Sequence, residues 1–498
     1  MHNRKIRRVA VVGAGISGIV TTAHLLRAGF EVTVFERHKK PGGIWLHSNE
    51  VAVEPQFPCE FPPDTERLAG DRRSGKERQY LLHAPPGPCY DSLTNNIVTP
   101  LMKTTLHDWP ENTPRYVNHS VIKNYIQETS AKVGVDDVTI FGALVTNAWK
   151  EGSRWCVNWT LLQEDVQNGD LIGTHNTSTF DALVVASGHY HSPRIPDIPG
   201  LAEAKLREPE RIIHSKWFRN AARLRDKTVL LIGGGVSSTD IAKDVGRTAK
   251  AIYQSTRNGL HDMPAGALPE NGVRVSEVTG IDIPAQGKNR SSPNHNPFTV
   301  HLKCGRVLHD IDYIIICTGY LFTLPFLPQY NNYNMAPSAA SGEVLITDGG
   351  QVHNLHRDIF YIPDPSLAFV GIPIFNTIFS LFEFQAIAVA TVFSGIVQLP
   401  PAEAMAEEYR DRVRRRGYGR LLHALTGDEE AYVSRLINWV NDGRIRCGMP
   451  PVEGHTAAWK HEMELIQQER LKLRAAKAAE KLAVSEKLTV TEKVEATG

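Results

Sequence analysis

The sequence predicts an α/β fold built on two Rossmann-like dinucleotide-binding units, with a helical C-terminal extension. Three observations carry that prediction. A strand–glycine turn–helix–strand run occupies residues 9–36, a second occupies 228–255, and 498 residues leave room for roughly two to four domains. The composition, 42% hydrophobic and 22% charged, is that of an ordinary globular chain. Lys+Arg 55 against Asp+Glu 54 gives a formal charge of +1, so no global field recruits nucleic acid or anionic lipid. Six cysteines, at 59, 89, 156, 304, 317 and 447, form no C-x-x-C pair and no zinc-ligand spacing. That excludes dithiol redox chemistry, offers no metal site, and fits a reducing, cytoplasmic compartment.

The elements follow in order. Arg4, Lys5, Arg7 and Arg8 precede an apolar run at 9–12 and so imitate a signal peptide, but Gly13 and Gly15 end the run too early and no cleavage site follows. It reads as a buried strand entering a glycine turn. Residues 58–88, rich in proline and charge around Asp71-Arg72-Arg73, read as a surface insertion. Residues 140–148 and 155–162 read as a hairpin or meander, and 180–188 as another buried strand. The apolar stretch 367–399 is broken by Pro373, Asn376 and Glu383, which argues for a core strand and a helix over 379–394 instead of a membrane span. From Trp459 the chain turns Ala/Lys/Glu-rich, with Met463, Ile466 and Leu473 on one narrow apolar helix face.

The first glycine turn is Gly13-Ala14-Gly15-Ile16-Ser17-Gly18, with Glu36 closing the next strand. Gly13 permits the tight turn, Gly15 lets backbone approach a pyrophosphate, and Gly18 lets the helix pack on the strand. The helix N-terminus offers unpaired N–H groups to the phosphates. Glu36 accepts hydrogen bonds from ribose hydroxyls and repels a 2′-phosphate, so this turn favours FAD or NAD over NADP. Just beyond it, Pro41-Gly42-Gly43-Ile44-Trp45 gives backbone able to run beside a flat ring, walled by Trp45.

The second turn is Gly233-Gly234-Gly235-Val236-Ser237-Ser238. Ser238 replaces the third glycine, which should crowd helix against strand without removing the phosphate-binding turn. The following strand ends on Ser255-Thr256-Arg257, with no carboxylate. Two hydroxyls and a guanidinium suit a 2′-phosphate, since Arg presents a bidentate fork to its oxygens. An acidic-ended and a basic-ended unit in one chain imply FAD at the first, NADPH at the second, and hydride transfer between them.

With these blocks the chain resembles the flavin-containing monooxygenase family (class B flavoprotein monooxygenases) over most of residues 9–400. Gly42–Trp45 matches the family's Gly-Gly-x-Trp, and Tyr90-Asp-Ser-Leu93-Thr-Asn95-Asn96 its Tyr-x-x-Leu-x-Thr-Asn block, with Asn95 in place of the family's Thr. Ala186-Ser-Gly188-His189-Tyr190, Cys317-Thr-Gly-Tyr320 and Phe382-Glu-x-Gln385 resemble the linker, the returning strand and a late helix near the flavin. The family fingerprint Phe-x-Gly-x-x-x-His-x-x-x-(Tyr/Phe) is half kept: His214 and Phe218 match, whereas Glu208 and Glu210 stand at the Phe and Gly positions. Phe218 is followed by Arg219, not by the Trp-Pro or Trp-Asp of Baeyer–Villiger relatives, which favours heteroatom oxidation.

The resemblance implies an FAD domain at 1–190 and 325–450, an inserted NADPH domain at 191–324, and a charged helical tail at 451–498. It implies that Gly13–Gly18, Glu36, Gly43, Trp45, Asn96, Val145 and Gln385 meet FAD, and that Gly233–Ser238, Ser255 and Arg257 meet NADPH. It further implies N- or S-oxygenation of a small molecule through a C4a-hydroperoxyflavin, with Asn96 as the active-site amide and Asn95 its competitor for that role. Retained NADP+ would cap the pocket. The partners expected are a nucleophilic substrate and O2, not nucleic acid; oligomeric state stays open. Baeyer–Villiger ketone oxygenation and an uncoupled NADPH oxidase remain alternatives, and His214 reads equally as a structural histidine or a cofactor contact.

Overall fold

The computed structural model describes residues 6–62, 75–164, 171–283, 297–377 and 379–469. It divides into two units, Met1–Val452 and Glu453–Gly498. The first unit begins with β1 (Arg8–Val12), α1 (Ile16–Arg27) and β2 (Glu31–Glu36), a βαβ crossover whose strands pair in parallel from Arg8↔Glu31 to Val12↔Phe35. Then come α2 (Gly75–His83), α3 (His119–Lys132), β3 (Thr139–Phe141), β4 (Ala143–Glu151), β5 (Arg154–Glu164), β6 (Leu171–Phe180), β7 (Ala182–Val185), the short β8 (Ser192–Pro193) and α4 (Leu201–Arg207). The second glycine turn lies within β9 (Ile212–His214), β10 (Thr228–Ile232), α5 (Val236–Val245), β11 (Ala251–Ser255) and β12 (Gly272–Val275). Next are β13 (Val278–Asp282), β14 (Phe298–Leu302), β15 (Val307–Ile311), β16 (Tyr313–Ile316), β17 (Tyr320–Leu321), β18 (Leu355–His356), β19 (Phe360–Tyr361) and β20 (Leu367–Phe369). The unit ends with α6 (Phe379–Phe393), α7 (Ala402–Arg416) and α8 (Glu429–Arg446).

Two central sheets result. One runs β18-β19-β20-β7-β1-β2-β3, parallel from β20 to β3 with β18 and β19 antiparallel at its edge; the other, β12-β11-β10-β16-β9, is parallel throughout. In the first, alternate residues of each strand go to opposite faces, as a two-residue period requires. Val9, Val11, Val34 and Val184 face α1, α3, α6 and α8, while Ala10, Val12, Phe35 and Val185 face the antiparallel β4-β5-β6 sheet. Burial on both faces explains why these strands read as unbroken apolar runs. Helix α6 is mostly apolar, with Glu383 and Gln385 buried among its hydrophobic residues, and is buried along almost its whole length, so it is a core helix against α1 and α8.

The structure corrects the reading of 58–88 as surface. Cys59 is buried and bridges to Ile195 in both directions, Cys59 N to Ile195 O at 2.9 Å and Ile195 N to Cys59 O at 2.8 Å. Residues 75–83 form α2; Asp71-Arg72-Arg73 lies outside the described residues. In the second unit a helix runs over 457–469, carrying Trp459, Met463 and Ile466, while Leu473 is outside the described residues. Among the described residues no helix is long and apolar enough to cross a membrane.

Candidate active site

Gly13 adopts φ +104°, and a Cβ there would fall 2.7 Å from the Ala186 carbonyl oxygen at the end of β7. A Cβ on Gly18 would fall 1.9 Å from Gly13 O, so α1 can sit this close to its turn only without a side chain. Gly43, at φ +57°, presses on the same turn: its Cβ would lie 3.1 Å from Gly15 Cα, and Gly42 N donates to Ala14 O at 3.1 Å. Trp45 ends this 3-10 turn and is buried. No side chain caps the N-terminus of α1 at Gly15, which leaves its first-turn N–H groups for a ligand. Ile16 and Ser17 are buried, and Ser17 packs on Gly371.

Glu36 is 5% exposed. Oε2 accepts from Ala14 N at 2.7 Å and Oε1 from His38 N at 2.8 Å, so the carboxylate is fixed against the turn. Burial pushes its carboxyl above the usual range, opposed by the His38 and Ala14 amides and by Arg37. Remaining lone pairs can take ribose hydroxyls, the role this geometry fits. A dinucleotide fits the cradle: glycines where a Cβ would collide, free helix-terminal donors, and an anchored acceptor.

The two asparagines separate cleanly. Asn95 is buried and consumed: Nδ2 donates to Ile97 O at 2.7 Å and Arg115 O at 2.9 Å, and Oδ1 accepts from Val117 N at 2.6 Å. Asn96 is exposed, and no hydrogen bond ties its side chain among the described residues. Asn95 is therefore a strut and Asn96 the amide free to meet a ligand. Two expected flavin contacts look different in place. Gln385 is fully buried, with Oε1 accepting from Gly371 N at 3.0 Å and Nε2 donating to Tyr432 OH at 2.9 Å; it braces the Gly371 loop. Val145 sits in β4 with its side chain in the core, so only its backbone is available.

The second turn repeats the plan. Gly233 has φ +125°, and a Cβ would meet the Cys317 carbonyl oxygen at 2.4 Å, as Gly13 would meet Ala186. Gly235 heads α5 without a side-chain cap, Val236 is half-buried and Ser237 exposed. Ser238 does not crowd the turn. It is buried, its hydroxyl donates to Gly235 O at 3.0 Å and accepts from Gln254 Nε2 at 2.8 Å, tying α5 to β11. Ser255 is braced too: Oγ donates to Ser276 O at 2.9 Å and accepts from Val278 N at 3.2 Å. Arg257 stands 71% exposed, with Glu277 no nearer than 3.9 Å.

Sequence reasoning missed Asp262. A Cβ on Gly234 would lie 2.4 Å from its Cγ, and Asp262 Oδ2 accepts from Thr256 Oγ1 and from Gly259 N at 2.9 Å. Thr256 is thus engaged, and the turn carries a carboxylate at its mouth. The signal available was the Gly-containing loop Asn258-Gly259-Leu260-His261 that follows Thr256-Arg257 and ends on Asp262. His214 is structural: Nδ1 accepts from Lys216 N, Nε2 donates to Gly319 O at 3.1 Å, and burial drops its pKa to about 3.

All six cysteines are free thiols. A closed dinucleotide seat ending on Glu36 and an open one ending on Arg257 fit a protein that handles two dinucleotide coenzymes. The flavin-binding monooxygenase-like family matches residues 86–266 and 298–441, and the NAD(P)-binding Rossmann-like domain family matches residues 11–73. The chain belongs to the flavin-containing monooxygenase family, and as such is a flavin-dependent monooxygenase using FAD and NADPH. It is 43% identical to flavin-containing monooxygenase ustF2 of Aspergillus flavus over 94% of this chain and 98% of that one. Flavin-containing monooxygenase iboF of Amanita muscaria is 30% identical, with 89% of each chain covered. Among solved structures, S-allyl-L-cysteine S-oxygenase from Allium sativum superposes with TM-score 0.69 at 26% identity, covering 94% of this chain and 93% of its own.

Proposed function

We propose that the enzyme oxygenates a soft nucleophile, the nitrogen or sulfur of a small molecule of specialised metabolism. The observation that carries this reading is the exposed, unengaged amide of Asn96 beside the wholly engaged Asn95. When bound, NADPH-reduced flavin supplies the activated oxygen. The chain's residues do the rest. In this reading the N-terminus of α1 and the Gly13–Gly18 turn hold the FAD phosphates, Glu36 takes the ribose, and Gly43 and Trp45 flank the ring. Val236 and Ser237 at the head of α5 meet the NADPH pyrophosphate, and Arg257 takes the 2′-phosphate. Residues 191–324 form the NADPH domain inserted between 1–190 and 325–450, with 451–498 a separate tail.

Asn96 then orients the reacting partners through an uncharged donor and acceptor. An acid at that position would supply a proton that diverts oxygen to H2O2. A soft nucleophile whose lone pair is free attacks without a general base, and Arg219 in place of the Trp-Pro or Trp-Asp of ketone oxygenases favours this class. The S-oxygenase neighbour supports sulfur as one acceptor.

The test is H2O2 formed per NADPH consumed, with a thioether, a tertiary amine and a cyclic ketone as candidate substrates. Asn96→Asp should retain FAD yet release most consumed NADPH equivalents as H2O2, with coupling about tenfold or more below wild type. Unchanged coupling removes Asn96 from the site, and ester formation from the ketone alone moves the enzyme to the Baeyer–Villiger class.

A further inference from the structure

The segments around Asn96 carry a second polar group that the oxygenation scheme does not use. His47 lies two residues after Trp45, Asp91 opens the stretch leading to Asn96, and His119 follows the strand-like bridge Thr94↔Asn118. These segments are bound together: His119 N donates to Leu93 O at 2.8 Å, Asn118 Nδ2 to Asp91 O at 3.2 Å, and Val117 N to Asn95 Oδ1 at 2.6 Å. His47 Nε2 lies 2.8 Å from Asp91 Oδ1, and the His119 ring stacks on the His47 ring at 5.1 Å and 22°. Asn220 Nδ2 donates to the other Asp91 oxygen at 3.1 Å. With Nε2–H donated to the carboxylate, Nδ1 of His47 keeps its lone pair. It has no partner among the described residues, and the side chain is a quarter exposed.

The charges facing this pair are few. Arg219 is spent on carbonyls, donating to Ser48, Lys216, Phe218, Glu50 and Gly87 oxygens at 2.8–3.2 Å, so it braces the segment behind His47 without pairing with Asp91. Burial lowers the pKa of His119, as do His47 and Lys123, with Asp91 opposing. Lys123 is the further charge that acts on His119.

A chemical problem matches this arrangement. An aliphatic amine reaches the enzyme as an ammonium ion, which has no lone pair to attack oxygen, and only about one molecule in a thousand is free base at pH 7. A thioether has no such requirement. We propose that His47, oriented by Asp91, is the base that takes the proton from a bound ammonium substrate before its nitrogen is oxygenated. The N–H bond breaks, its electron pair stays on nitrogen, and the proton bonds to His47 Nδ1. The resulting imidazolium is stabilised by Asp91 and returns its proton to solvent. Nothing is oxidised in this step. Asp91 is a positioning residue that also attracts the cation. The proposal rests on the N- or S-oxygenation reading above.

The test uses the FAD-loaded enzyme with a matched tertiary amine and thioether of the same chain length, over pH 6–10. His47→Gln keeps a donor to Asp91 and lacks a proton-accepting nitrogen. Its kcat/KM for the amine should fall about 1000-fold at pH 7, rise about tenfold per pH unit, and meet wild type near the amine's own pKa of about 10. Its kcat/KM for the thioether should stay within about twofold throughout. Asp91→Asn should shift the amine profile the same way, by less. Parallel wild-type and variant profiles, an equal loss on the thioether, or wild-type turnover of the thioether alone each overturn the role of His47. Wild-type enzyme that makes H2O2 and neither oxide overturns the oxygenation reading itself.

Discussion

The two dinucleotide turns share one blueprint and differ in how much of it is finished before a ligand arrives. Gly13 and Gly233 both lean on a carbonyl of the neighbouring strand, Ala186 and Cys317 respectively. Around the first turn everything is closed: Gly43 lies against Gly15, Ile16 and Ser17 are buried, and Glu36 is gripped by two backbone amides. Around the second, Ser237 and Arg257 are open to solvent, and the guanidinium stands 3.9 Å from Glu277. A preformed seat loses little freedom on binding and suits a coenzyme that stays; an open one suits a coenzyme that must leave each cycle. The contrast matches FAD as resident and NADPH as the exchanging partner.

That contrast can be broken by substitution, most severely at the closed turn. Gly18→Ala places a methyl inside contact distance of Gly13 O, and purified protein should lose nearly all flavin absorbance. Protein that stays yellow would mean that the close α1 packing does not matter to the FAD seat. Next comes Arg257→Ala. Loss of a charge-assisted contact worth about 1.5–3 kcal/mol should raise KM for NADPH roughly 10- to 100-fold, leave KM for NADH unchanged, and leave flavin content intact. Equal changes with both nicotinamides would detach Arg257 from the 2′-phosphate. The smallest effect is expected at Ser238→Gly, which removes two hydrogen bonds but no packing constraint. A loss of about 1–2 kcal/mol of stability with KM for NADPH within about twofold is the expected outcome, read by melting temperature and steady-state kinetics.

Much of this was legible in the sequence because the signals are local. Glycines at fixed offsets, apolar strand runs and the residue ending the second strand located both turns, and the apolar 379–394 reading matches α6 at Phe379–Phe393. Less local features escaped. β6 (Leu171–Phe180), with its run Thr174-His-Asn-Thr-Ser-Thr179, has no apolar alternation to announce it; it is a strand because β5 pairs with it along its whole length. Ser255 and Gln385 are a related case. Sequence shows that a hydroxyl or an amide is present, not whether distant Ser276, Val278, Gly371 and Tyr432 have already taken it. The same ambiguity, resolved the other way, separates Asn96 from Asn95. Asp262 and the His47–Asp91 pair come together only through loops that fold back across the chain.

The 1.9 Å approach at Gly18 also sets what single genetic steps the protein can survive. Every single-base missense change in a glycine codon enlarges the residue, so at Gly18 each accessible mutant collides with the backbone of Gly13. At Ser238 the corresponding step is already accommodated, its hydroxyl absorbed between Gly235 and Gln254. Variation at the third position of the second turn therefore has a route through single substitutions, whereas a change at Gly18 needs the first turn and its helix to move together.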